Sequence, residues 1–339
     1  MTSAQASAAA EQALGSLDVV APPSDVSARL AALDAALDKV VPVKQLDRNL
    51  LVATWNLRAF AGLTKNWLSG AHDSPKRNFG DVWAIAEVIS RFDVCAIQEV
   101  RGDLRALRHL LKALGPDWGV IMTDVTKTKG GNDERLAFLF DSRRVKPSGL
   151  AGEFAEPFDT KTGEISEQTL ARQFARTPYA VSFQSAGQTF ILVTLHAVYG
   201  KGTADRIAEL RAIAHRLAAF AGEVTNWGHN LIALGDFNID RAGDPLFEAF
   251  TSTGLAAPPG LNDVPRTIFD EPQKGHFYDQ IAWFGEGTDG PALHLSCTGA
   301  GSFDFVPLLR TGEETLEELS WKISDHYPLW VEFKVRGES

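Results

Sequence analysis

Leu231-Ile-Ala-Leu-Gly-Asp-Phe-Asn238 decides how this chain is read. Four apolar residues fit a buried strand, Gly235 follows, and Asp236 and Asn238 then share a face because side chains two apart point the same way. A carboxylate beside an amide at the exit of a buried strand suits a metal ion or a water nucleophile. The same placement recurs outward from this string. Leu51-Val-Ala-Thr-Trp-Asn56 ends in an amide, Val94-Cys-Ala-Ile-Gln-Glu99 in a carboxylate, and Phe190-Ile-Leu-Val-Thr-Leu-His196 in an imidazole. Other polar groups sit where strands begin. Asp133-Glu134-Arg135 opens Leu136–Phe140, Arg176-Thr-Pro178 precedes Tyr179–Phe183, and Tyr278-Asp279 precedes Gln280–Phe284. Ile323-Ser-Asp325-His326-Tyr-Pro328 leads into Leu329–Phe333. In open α/β sheets, ligands gather at the carboxyl ends of the strands.

Between these runs lie helical patterns at Val82–Phe92, Asp103–Leu114 and Ala204–Phe220, and Asp244-Pro245 reads as the start of another. Strands alternating with helices give an α/β protein. Further strands are expected at Gly119–Thr123 and Leu293–Cys297, too many in all for one simple parallel sheet, so two mixed sheets are expected. No Pro/Gly/Ser linker divides residues 48–339, which therefore read as one domain. Residues 1 to about 24 are Ala/Ser-rich, end in Pro22-Pro23 and are expected to be mobile. Ser24 then reads as a helix cap, and Val26, Leu30, Leu33, Leu37 and Val40 form one apolar stripe that Pro42 ends. Residues 1–47 are thus a flexible N-terminal segment carrying a short amphipathic helix. Its stripe covers two heptads, short of a coiled coil, so docking on the main domain is favoured over a dimer seam. Loops at 61–78, 123–133 and 151–175 are long enough to suggest function or mobility.

The 339 residues carry 33 basic and 43 acidic side chains, a net charge of −10, with 45% hydrophobic and 22% charged residues, which is ordinary globular usage. This excludes a wholly disordered chain, a collagen and a disulfide-stapled miniprotein. No apolar run reaches the roughly 18 residues of a membrane span, and the N-terminus lacks the basic and apolar regions of a signal peptide, so a cytoplasmic protein without a membrane partner is expected. Cys95 and Cys297 read as buried, unpaired thiols of a reducing compartment. The acidic balance argues against a passive polyanion binder, so a phosphate-rich substrate would need local Arg and Lys or a bound cation. Walker A, G-x-G-x-x-G and H-E-x-x-H strings are absent. The inventory of two His, several carboxylates, two Asn and one Arg matches metal-assisted attack of water on a phosphate ester.

In this order, Glu134-Arg-Leu-Ala-Phe138, Phe174-Ala-Arg-Thr-Pro178, Leu195-His-Ala197, Gly235-Asp-Phe-Asn238, Tyr278-Asp-Gln-Ile281 and Ile323-Ser-Asp-His-Tyr-Pro328 resemble the endonuclease/exonuclease/phosphatase superfamily, and within it the deoxyribonuclease I-like branch. The resemblance runs from about Leu50 to Phe333. It implies a four-layer α/β/β/α sandwich, two mixed β-sheets flanked by helices, and a phosphodiesterase using Mg²⁺ or Mn²⁺. It implies Glu99, helped by Asn56 and Asp325, as metal ligands, with Asp236 and Asn238 positioning water and phosphate. His326, oriented by Asp279, would be base or phosphate-charge stabiliser. His196, held by Glu134, would be partner acid or phosphate donor, and Arg176 would bind a phosphate oxygen. The division of labour between the two imidazoles stays open.

The two cysteines do not reproduce the disulfide pattern of secreted deoxyribonucleases, residues 1–47 fall outside the resemblance, and Tyr278 stands before Asp279 where inositol polyphosphate phosphatases carry a Trp-Cys-Asp-Arg-type string. In segment 57–78, Arg58, Lys65, Trp67, Lys76 and Arg77 offer either phosphate contacts with a stacking platform or a solvated loop with one packed Trp. A DNA endonuclease is the leading reading, with DNA as partner. A phosphatase or phosphodiesterase acting on a lipid, sugar or nucleotide phosphate is the second, because the net charge repels long DNA. A non-catalytic binding module is the third. The sequence points to no protein partner.

Overall fold

The computed structural model describes residues 21–125, 132–154, 174, 176–199, 202–223, 230–271, 275–288 and 292–335. Residues 1–20, and much of the loops expected at 123–133 and 151–175, lie outside the described residues. Among the described residues, twelve strands form two six-stranded sheets. The first runs β11 (Ser296–Ser302), β12 (Leu329–Lys334), β1 (Asn49–Phe60), β2 (Val94–Val100), β4 (Arg135–Asp141) and β3 (Trp118–Met122). The second runs β5 (Lys146–Glu153), β6 (Tyr179–Ser185), β7 (Gln188–His196), β8 (Asn230–Asp236), β10 (Asp279–Phe284) and β9 (Leu255–Ala256). Each sheet is mixed, with a parallel pair at its middle, β1–β2 and β7–β8.

Period-two alternation sorts the strand residues into layers. Leu50, Val52, Val94, Ala96, Phe190, Leu192, Ile232 and Leu234 fill the space between the sheets. On the outer face of the first sheet, Leu51, Ala53, Trp55, Cys95 and Ile97 meet helices α1 (Ser24–Val40), α2 (Phe79–Ser90) and α3 (Arg105–Leu114). On the outer face of the second, Ile191, Val193, Leu231 and Ala233 meet α4 (Thr203–Glu223) and α5 (Pro245–Thr251). This is the expected four-layer α/β/β/α sandwich.

Helix α1 lies against the domain, with Val26, Leu33 and Leu37 buried in the outer core and Arg91 paired to Asp34 and Asp38. Ser24 is its first helical residue; the cap is Pro23, which has no side-chain hydrogen bond to offer. Asp244 caps α5 as expected, accepting from Phe247 N at 2.7 Å with Pro245 behind it. Three edge strands depart from the reading. β5 runs into the loop expected at 151–175, β9 is not among the expected strands, and β11 replaces the expected strand Leu293–Cys297. None carries a β-branched apolar run. In β11, glycines make room for Trp330: a Cβ on Gly301 would lie 2.9 Å from the indole. Cys95 and Cys297 are unpaired, but Cys297 is half-exposed. Among the described residues, no helix is long and apolar enough to cross a membrane.

Segment 57–78 joins α2 through a capping box. Asn78 Oδ1 accepts from Asp81 N at 3.1 Å, and Asp81 Oδ2 accepts from Asn78 N at 3.0 Å. Burial pushes the Asp81 carboxyl up to about 6. A folded carboxyl that holds its proton more tightly than the unfolded one costs stability as pH rises between the two values. Asp81→Asn keeps the acceptor without the charge. Relative to wild type it should therefore gain roughly 1–3 kcal/mol in unfolding free energy between about pH 4 and pH 7. Denaturant titrations across that range test this, and parallel pH profiles for the two proteins would contradict it.

Candidate active site

The residues facing the inter-sheet space change character along the four central strands. Leu50 and Val52 give way to Thr54 and Asn56 on β1, and Val94 and Ala96 to Gln98 on β2. Phe190 and Leu192 give way to Thr194 and His196 on β7, and Ile232 and Leu234 to Asp236 on β8. The first polar rung pairs within itself. Gln98 Nε2 lies 3.1 Å from Thr54 Oγ1 on the neighbouring strand and 2.9 Å from Thr194 Oγ1 on the opposite sheet. Buried polar groups require such partners, and the rung floors the site above it.

Register then places the reactive groups. Asp236 is paired with His196 on β7 and with Asp279 on β10. Gly235 allows this approach. Its φ is +139°, and a Cβ there would lie 2.1 Å from the Leu195 carbonyl oxygen. Asn238 holds a positive φ of 51°, its N–H donates to Asp236 Oδ1 at 2.9 Å, and its amide donates to Ala197 O at 2.8 Å.

Three side chains face one oxygen. Asp236 Oδ2 accepts from Asn56 Nδ2 at 3.0 Å and lies 3.5 Å from His196 Nε2 and 3.9 Å from His326 Nε2. Each imidazole has its other nitrogen against a carboxylate, which fixes the ring's orientation. His326 Nδ1 is 2.6 Å from Asp279 Oδ2, and His196 Nδ1 is 3.0 Å from Glu134 Oε2. Burial opposes charge on His326, but Asp279 outweighs it and holds the imidazolium well above its ordinary range. Burial in turn pushes Asp279 up to about 6 against the pull of His326. Glu134 is held below its usual range despite burial by His196, Arg176 and Arg101. Arg176 grips it through Nε at 2.5 Å and Nη2 at 3.1 Å, and Arg101 bridges it at 3.2 Å to Glu99 at 3.4 Å.

Strand alternation alone would turn Glu99 toward the helices, with Cys95 and Ile97. Instead φ is +61° and the register with both neighbouring strands breaks there. A positive φ on a non-glycine residue is uncommon and marks sites held for function. The Glu99 carboxylate is anchored by Ala59 N–H at 2.8 Å and lines the cavity with Asn56 and Asp325. Asn56 Oδ1 and Asp325 Oδ1 are both buried without a hydrogen-bond partner. An unpaired amide oxygen and an unpaired carboxylate oxygen beside a second carboxylate form a donor set that fits a hard divalent cation. Glu99, Glu134 and His196 also bring one ligand atom each within 4.8 Å of one another. That second set includes Glu134, already neutralised by two guanidinium groups.

Nine of the ten residues singled out from the sequence line one cavity of about 490 Å³: Asn56, Glu99, Glu134, Arg176, His196, Asp236, Asn238, Asp325 and His326. The tenth, Asp279, is fully buried behind His326. The basic segment differs from the phosphate-binding alternative. Arg77 turns inward and donates to the carbonyls of Arg58, Ala59, Lys322 and Ile323 at 2.7–3.4 Å. Trp67 packs on Phe79 and Trp83, and Lys76 donates to Gly70 O and Ala71 O. Only Arg58 of that group reaches toward the site, its Nε 3.9 Å from Asp325 and its guanidinium over Trp321.

Several positioning groups had no local signal in the sequence. Ser324 Oγ donates to Asn56 O at 2.5 Å and accepts from His326 N at 3.0 Å, and Trp55 Nε1 donates to His326 O at 2.8 Å. Arg266, fully buried, donates to Asp279 O at 3.3 Å, and burial lowers its guanidinium to about 10.

The sequence profile of the Endonuclease/Exonuclease/phosphatase family matches residues 53–326. A deoxyribonuclease from Thioalkalivibrio sp. is 27% identical over 295 residues, covering 84% of this chain and 71% of that protein. Deoxyribonuclease-1 of Sus scrofa is 28% identical over 319 residues, covering 90% and 99%. A mannosyl-6-phosphatase of Bacteroides thetaiotaomicron shares the fold, with a TM-score of 0.53 at 18% identity over 84% of this chain and 99% of that one. The match over most of the chain, on a sandwich whose edge gathers the imidazoles and carboxylates into one cavity, makes this protein a member of the endonuclease/exonuclease/phosphatase family of hydrolases.

Proposed function

We propose that the protein is a divalent-cation-dependent phosphodiesterase that cuts DNA. The observation that carries this reading is the convergence of two carboxylate-oriented imidazoles on Asp236 Oδ2, beside an oxygen donor set with unpaired acceptors. The relatives named deoxyribonuclease support the choice of DNA. Residues 48–339 form the catalytic unit, and the free thiols Cys95 and Cys297 favour a reducing, cytoplasmic setting.

In this reading Glu99, Asn56 and Asp325 hold the cation. Bound Mg²⁺ or Mn²⁺ supplies charge neutralisation at the phosphoryl group. Asp236, with Asn238, positions the attacking water and the scissile phosphate. His326, aligned by Asp279, and His196, aligned by Glu134, divide the roles of taking the proton from water and stabilising or protonating the departing oxygen. Arg176 faces a phosphate oxygen while anchored on Glu134. A second reading, hydrolysis of small phosphate esters, draws on the net charge of −10 and on Arg101 and Arg176 being engaged with Glu134.

Supercoiled-plasmid conversion with Mg²⁺ or Mn²⁺ separates the two. Nicking that EDTA and Glu99→Ala both abolish is expected. No nicking by folded, metal-loaded protein, with phosphate released from small esters, would select the second reading. His196→Ala and His326→Ala should each lower kcat by about 10²-fold or more; near-wild-type turnover in either would remove that imidazole from the mechanism. Asn56→Ala and Asp325→Asn should raise the metal concentration for half-maximal rate by roughly ten-fold or more. An unchanged metal requirement in both would move the cation to Glu99, Glu134 and His196.

A further inference from the structure

We propose that His276, held by Asp270 and stacked on Tyr278, is a subsite for a substrate phosphate next to the one being cut, so that the enzyme prefers oligonucleotides to an isolated phosphodiester. The inference rests on the nuclease reading and names a contact that reading does not require.

His276 belongs to a third imidazole–carboxylate pair. Its Nδ1 is 2.7 Å from Asp270 Oδ1, and the same oxygen accepts from the His276 backbone N–H at 3.0 Å. The carboxylate side chain is 7% exposed and the imidazole 40%, so a buried partner presents an open ring. The ring stacks on Tyr278 at 4.5 Å and 21°, and Tyr278 lies 5.8 Å from the ring of His326. His276 therefore stands one aromatic ring away from a catalytic imidazole, on the wall of the same cavity. With Nδ1 engaged, Nε2 is the nitrogen left to face the cavity. With the Asp270 carboxylate at one nitrogen and a non-bridging phosphate oxygen at the other, the ring would give one N–H to each, a charge-assisted hydrogen bond.

Phosphate is the ligand class because the cavity needs a cation there. Arg101 is committed to Glu99 and Glu134, Arg176 is anchored on Glu134 and assigned to the phosphate being cut, and the chain carries a net charge of −10. A second substrate phosphate entering this field needs its own positive partner. Tyr199, 63% exposed, stands edge-on to Tyr278 at 6.3 Å and flanks the subsite with an aromatic surface.

The test compares a thymidine dinucleotide, which has one phosphodiester and no flanking phosphate, with an octathymidylate. His276→Gln should reduce the ratio of kcat/KM on the octamer to that on the dinucleotide by about ten-fold, through KM. Asp270→Asn should reduce it in the same direction by freeing the ring. A purely structural role would scale both substrates alike, and an unmoved ratio overturns the proposal. A second measurement does not depend on turnover: in EDTA, adding octathymidylate should shift the His276 imidazole resonances in NMR spectra, assigned by their loss in His276→Gln. Unshifted resonances overturn the subsite even where DNA is cut. Shifted resonances without DNA cleavage under any divalent cation keep the subsite and overturn the nuclease reading.

Discussion

Everything at the edge that carries the candidate active site depends on how the space between the sheets is filled. Hydrocarbon occupies it until the central strands reach Thr54, Gln98 and Thr194, and from there each inward side chain must find a polar partner. The Gln98 amide reaches the Thr54 hydroxyl on the neighbouring strand and the Thr194 hydroxyl across the gap. This seals the core from the cavity and fixes the separation of the sheets where it matters. Asn56, His196 and Asp236 are the next residues on their strands. Their convergence follows from packing below them, so the site does not have to hold itself together.

The second constraint is charge. Glu99, Glu134, Asp236, Asp279 and Asp325 crowd a small region, and carboxylates left alone there would repel one another and resist burial. The fold answers locally. Glu134 is clamped by two guanidinium groups and an imidazole, and Asp279 is backed by Arg266 and faces His326. Asp325 and Asn56 keep buried acceptors without partners. The compensated carboxylates orient rings, and the uncompensated oxygens form the donor set that suits a cation.

How much of this was legible in the sequence follows from the same geometry. Asn56, His196 and Asp236 each end an apolar run in step with strand alternation, so a two-residue period was enough to find them. Glu99 defies that period, because its positive φ and the register break re-aim it; its place at the exit of the apolar run from Val94 marked it, and alternation would not have done so. Arg266, Ser324 and Arg77 donate to the backbone carbonyls of Asp279, Asn56 and Arg58, which lie 13, 268 and 19 residues away, and a contact to a carbonyl leaves no local pattern. The edge strands β5 and β11 were obscured for a different reason. Lys146-Pro-Ser-Gly-Leu-Ala-Gly-Glu153 and Ser296-Cys-Thr-Gly-Ala-Gly-Ser302 are made strands by their neighbours, not by their own propensity.

Gly235 sets a tolerance that no functional group in the cavity can set for itself. Strands β7 and β8 act as the jaws of a calliper, closed upon the Leu195 carbonyl at the one position where a hydrogen atom stands in place of a side chain. A single methyl group would be a shim in that gap. It would remove no ligand, acid or base, and it would part the imidazole of His196 from the carboxylate of Asp236. The chemistry of this edge is therefore gauged by a residue that contributes none.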